Sequence, residues 1–112
     1  MSLISNRVVR YFSITGGLTI KGTRQDKNGI RIFASGSGGK HFYNFLIDEV
    51  SVEGVGGHGL LLEGNVFEGQ ISNSYFQDCT LNGATFAHSN AGVCSSINVI
   101  GCYFNQNGQY GM

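Results

Sequence analysis

A few residue types in this sequence could act on a ligand, and their spacing decides which chemistry is open to them. Glu53 and Asp78 are the first pair. Hydrolysis of a glycosidic bond wants two carboxyl groups on one groove, roughly 5–9.5 Å apart. Asp48, Glu49 and Glu53 fall in one strand region, and Glu63 and Glu68 flank the next turn. Solvated turn carboxylates are the plainer and favoured reading of all of these. His58 stands directly before Gly59. It could be a general base or a substrate contact, or a member of a polar turn ladder. Tyr75 and Tyr103 could offer their ring faces to sugar rings, or stack on one another and only stabilise a sheet.

Other chemistry is weakly supported. Cys79, Cys94 and Cys102 match no zinc or redox spacing and read as buried apolar thiols. His41 and His88 fall in Gly-rich stretches, which is thin support for a metal, so no metal and no cofactor is assigned. Gly36-Ser37-Gly38-Gly39-Lys40 lacks the spacing and following helix of a phosphate loop.

The elements that must position these residues follow from composition and repeat. The 112 residues carry 18 glycines and no proline, and only 12% are charged. Gly with many β-branched and aromatic residues points to short strands broken by tight turns. Seven basic and seven acidic residues give a formal net charge of zero. That gives no general pull toward nucleic acid or an anionic membrane, so neither is expected as a partner. Met1 to Ser13 holds Arg7 and Arg10 and does not read as a signal peptide, and no stretch approaches the roughly 20 apolar residues of a span.

Internal repetition is the dominant pattern. Asn28-Gly29-Ile30-Arg31-Ile32, His58-Gly59-Leu60-Leu61-Leu62, Asn82-Gly83-Ala84-Thr85-Phe86 and Tyr110-Gly111-Met112 recur at steps of 30, 24 and 28 residues. Val52, Phe76 and Phe104 each precede their glycine by seven residues, and Ile20 precedes Gly29 by nine. A third apolar run enters each coil at Phe42 to Ile47, Val66 to Ile71 and Val93 to Val99. Three short strands per step predict an all-β chain folded as a right-handed parallel β-helix of about four coils, a single segment over residues 1–112. A β-sandwich would show hairpin dipeptides without a common step.

Stacking equivalent positions gives apolar columns Leu18/Val50/Ser74/Cys102, Ile20/Val52/Phe76/Phe104, Ile30/Leu60/Ala84/Met112 and Ile32/Leu62/Phe86. Thr19/Ser51/Tyr75/Tyr103 and Lys21/Glu53/Gln77/Asn105 then face outward. In this register Asp78 aligns with Gly54, one step past the column of Glu53, so the two carboxylates are neighbours across coils. The column glycines are expected to provide positive φ or close backbone approach. The last coil stops just after Gly111, which suggests an excerpt of a longer chain or an end covered by another subunit.

The units Ile47-Asp48-Glu49-Val50-Ser51-Val52 to His58-Gly59-Leu60-Leu61-Leu62, Ser74-Tyr75-Phe76-Gln77-Asp78-Cys79 to Asn82-Gly83-Ala84-Thr85-Phe86, and Cys102 to Gly111 resemble coils of the pectin-lyase-like superfamily. They look like the coils of mannuronan C5-epimerases, nitrous-oxide-reductase accessory proteins and phage tailspikes. The resemblance covers most of residues 40–112 and, more loosely, 12–39. It implies polysaccharide as the ligand class, bound along an outer sheet face. The catalytic motifs do not carry over: the Asp-Pro-His-Glu motif of the epimerases needs a proline, and no acidic cluster matches the calcium site of the pectate lyases.

The expectation is therefore a polysaccharide-binding or polysaccharide-processing β-helix segment. Glu53, Asp78 and His58 are its catalytic candidates, and Tyr75 and Tyr103 its substrate-binding ones. The alternative is a non-catalytic structural or assembly segment. A homo-oligomer is expected, a trimer being one form. Localisation is left open, with a virion or secreted setting favoured.

Overall fold

The computed structural model describes residues 1–5, 8–9, 11–25, 27–35, 41–87 and 94–112. Among them the chain is all β. The first coil holds β1 (Ser2–Ser5), β2 (Val8–Val9), β3 (Phe12–Ile14) and β4 (Thr19–Lys21). The second holds β5 (Ile30–Ala34), β6 (His41–Asp48) and β7 (Ser51–Glu53), and the third β8 (Leu60–Gly64), β9 (Val66–Ser72) and β10 (Tyr75–Gln77). The fourth holds β11 (Ala84–Ala87), β12 (Cys94–Ile100) and β13 (Tyr103–Asn105).

Every pairing among the described residues is parallel, and each coil visits three sheets in turn. The first sheet runs β1-β5-β8-β11, the second β12-β9-β6 with β2 and β3 both on β6, and the third β13-β10-β7-β4. The chain thus winds through three full turns of a β-solenoid and part of a fourth. Parallel neighbours one coil apart supply the backbone hydrogen bonds that a lone three-residue strand lacks.

Registers follow the apolar columns. Ile20, Val52, Phe76 and Phe104 are Cα partners in succession across the third sheet, as are Leu3, Ile32, Leu62 and Phe86 across the first. The side chains of Ile30, Ile32, Val52, Leu60, Leu62, Val66 and Phe76 are wholly buried between the three sheets. Removing one such side chain from water stabilises by roughly 1.5–3 kcal/mol. The inner residues Phe86, Ile97, Val99 and Phe104 of the fourth coil are only partly buried. Strands β1 to β3 extend the stack above the first coil that the turn glycines mark.

The structure separates the two roles a glycine could have here. Gly29, Gly59 and Gly83 have no positive φ; they are required by crowding. A Cβ on Gly59 would sit 2.5 Å from the Gly83 carbonyl oxygen and 3.0 Å from Cys79 Sγ. The left-handed residues lie elsewhere, in columns of their own. Gly17, Glu49, Asn73 and Gly101 turn the chain from the second sheet into the third, and Gly54, Asp78 and Gln106 turn it out of the third. Asn44, Glu68 and Ser96 form aligned bulges in the second sheet, skipped in its register. Ala34 ends β5 fully buried, and residues 36–40 and 88–93 lie outside the described residues.

Candidate functional site

The outer face of the third sheet gathers most of the candidate residues. Strands β4, β7, β10 and β13 are three residues long with the middle residue inward, so their first and third residues face out. The outer columns are Thr19/Ser51/Tyr75/Tyr103 and Lys21/Glu53/Gln77/Asn105.

Tyr75 and Tyr103 stack with ring centroids 4.8 Å apart and planes within 7°. They remain 47% and 59% exposed, so the stack leaves considerable ring surface to solvent. Inside the sheet Phe76 and Phe104 repeat the arrangement at 5.5 Å. Cross-strand aromatic pairs of this kind contribute about 0.5–1.5 kcal/mol beyond area burial. The same column carries only Ser51 and Thr19 on the coils above, and a depression of about 270 Å³ opens there. Tyr75, Ser51, Thr19, Leu18, Glu49 and Asn73 line it.

Glu53 and Asp78 share a second depression, of about 290 Å³, at the other edge of the sheet, with Lys21 and Arg24. The Arg24 guanidinium forms an ion pair with Asp78, and both side chains are well exposed. Lys21 is the direct cross-strand partner of Glu53. An acid–base pair needs one carboxyl kept protonated by an apolar setting. Asp78 instead faces a cation. The two-residue extension before Gly29 carries Arg24 at positive φ and brings it across to Asp78.

His58 lines neither depression. Its backbone N–H donates to Asn28 Oδ1 at 2.9 Å, and its Nδ1 accepts the backbone N–H of Asn82 at 3.2 Å. Asn82 Oδ1 in turn accepts the N–H of Tyr110 at 3.1 Å. Partial burial lowers the pKa of His58 from its ordinary 6.5. The ladder therefore holds a neutral imidazole with its proton on Nε2. Burial pushes the thiols the other way, Cys79 and Cys94 up to about 11. Among the described residues no three His, Cys, Asp or Glu side chains come together as a metal site.

Comparison with protein-family models, curated proteins and solved structures gives no match.

One cluster was missed in the sequence. His41 opens β6 rather than lying in a loop, and its ring sits 5.1 Å from Tyr43 and 5.5 Å from Phe67. Tyr43 and Phe67 are Cα partners on the outer face of the second sheet. The alternation around the inward Phe42 could have marked Tyr43 as outward. The bulge at Asn44 then shifts the phase and hides the pattern. His88 lies outside the described residues.

Proposed function

We propose that the outer face of the third sheet is a glycan-binding surface of a β-helix akin to the pectin-lyase-like superfamily, and that it binds polysaccharide without cleaving it. The observation that carries this reading is the exposed Tyr75–Tyr103 stack beside an open depression. Rigid aromatic faces give a sugar ring contact area at small entropic cost, and the outward amides Gln77 and Asn105 and hydroxyls Thr19 and Ser51 can exchange hydrogen bonds with sugar hydroxyls. Catalysis is disfavoured by the partners of the candidate acids and base. Asp78 is occupied by Arg24, and His58 Nδ1 by the Asn82 N–H. The test is titration of the whole chain with oligosaccharides. Tyr75→Ala and Tyr103→Ala should each weaken binding about tenfold with the fold retained. Unchanged affinity in both variants would remove the face from the site.

A second reading, assembly through a homo-oligomer, is favoured by the fourth coil. Its inner residues Phe86, Val99 and Phe104 are partly exposed, while the corresponding Leu62, Ile71 and Phe76 are almost wholly buried. A second copy could cover them. Sedimentation equilibrium showing a monomer at all accessible concentrations would reject this reading.

A further inference from the structure

We infer that the depression beside Tyr75 seats one pyranose ring of an uncharged glycan, a reading that rests on the glycan-binding surface proposed above. Tyr75 and Tyr103 stack along the direction in which coils succeed one another. One face of Tyr75 is covered by Tyr103. The other is turned toward Ser51, its partner on the coil above. Ser51 and Thr19 are too short to continue the aromatic column, and the depression occupies the place of the missing ring. A saturated six-membered ring fits that place. Its C–H face packs on the electron-rich face of Tyr75, as a third member of the stack. Its peripheral hydroxyls meet Ser51, Thr19 and Asn73, and the Glu49 carboxylate can accept from one of them.

Charge selects the class of sugar. A polyuronate or a nucleic acid carries an anion at every repeat and is held by rows of unpaired cations. Among the described residues the strands of this face carry one outward cation, Lys21, and no such row. Arg24 is paired with Asp78, Lys21 stands beside Glu53, and Arg31, on another sheet, is paired with Glu63 at 2.8 Å. Glu49, on the rim of the depression, repels an anionic ring.

The experiment is calorimetric titration of the intact chain with neutral hexamers (cellohexaose, maltohexaose, chitohexaose) and acidic ones (hexagalacturonate, hexamannuronate), at low and high salt. At least one neutral hexamer should bind, with an affinity insensitive to salt, and more tightly than either acidic one. Ser51→Tyr fills the depression while leaving Tyr75 and Tyr103 in place, and should weaken that binding at least about tenfold. Ser51→Ala leaves the space open and removes one hydroxyl, so it should weaken binding only about threefold, clearly less than Ser51→Tyr does. Ser51 faces outward, so thermal unfolding of both variants confirms the fold. Tighter binding of an acidic hexamer overturns the inference. So does full affinity in Ser51→Tyr, and if Tyr103→Ala still weakens binding, the surface survives without the seat. Failure of every hexamer to bind overturns the surface itself.

Discussion

The imidazole of His58 takes the place of an asparagine amide in a ladder of turns: its Nδ1 accepts the Asn82 N–H just as Asn28 Oδ1 accepts the N–H of His58. An asparagine oxygen keeps this role at any pH. An imidazole keeps it only while neutral, because a protonated Nδ1 is a donor facing a donor. The Thr85 hydroxyl, 3.0 Å from the same nitrogen, adds to the partly buried setting.

Stability should consequently fall in mild acid. Folded His58 binds its proton less tightly than the unfolded side chain, whose pKa is near 6.5. Below that pH the unfolded chain holds more protons, so stability drops as pH falls from 6.5 through the lower folded pKa; above it the contribution is complete. His58→Asn should retain stability at neutral pH and flatten this part of the profile. Urea midpoints across the range would check it, and an equally steep profile in the variant would assign the effect to other groups.

Two kinds of special backbone position should respond oppositely to substitution. Gly59→Ala places a Cβ 2.5 Å from the Gly83 carbonyl oxygen and 3.1 Å from the Phe76 ring, both part of the packed coil below. A cost above about 2 kcal/mol is expected, since neither neighbour can yield cheaply. Glu68 is exposed and held at φ 56°. Glu68→Gly relieves that strain and should raise stability by roughly 0.5 kcal/mol after the entropy of the freer unfolded chain is counted. Denaturant unfolding of the two variants gives the comparison directly.

The thiols should be inert in the folded protein. With Cys79 and Cys94 pushed up to about 11, the thiolate fraction at pH 8 is on the order of one in a thousand. Cys79 is also only 1% exposed. Labelling with a thiol reagent should be slow in native buffer and complete to three thiols in denaturant. Rapid labelling of Cys79 in the native state would mean that its coil opens.

Much of this architecture was legible because solenoid positions repeat. The Ile20, Val52, Phe76 and Phe104 column follows from seven-residue spacing to a glycine, and the two extra residues before Gly29 do not disturb it. Other features leave no such trace. The left-handed column at Asn44/Glu68/Ser96 contains no glycine, and Glu49 and Asn73 interrupt the one that Gly17 and Gly101 share, so glycine spacing marks neither. Strands β1 to β3 precede the first turn motif and are held by pairing with β5 and β6. At the site, the outward pair Tyr75 and Tyr103 and the nearness of Glu53 to Asp78 were readable from register. The Arg24–Asp78 ion pair was not, since it depends on how the longer first turn folds back.

That ion pair gives the most direct check on whether the surface binds or cleaves. Arg24 and Asp78 have side chains 55% and 40% exposed, so the pair contributes about 0–1 kcal/mol. Asp78→Asn should therefore leave the unfolding midpoint nearly unchanged, and Glu53→Gln likewise. Neither residue lines the depression beside Tyr75, so glycan affinity should stay within about twofold in both variants. Prolonged incubation of the unsubstituted chain with a bound hexamer should release no new reducing ends. Turnover that disappears in either variant would reinstate Glu53 and Asp78 as an acid–base pair and overturn the reading of this face as a binding surface alone.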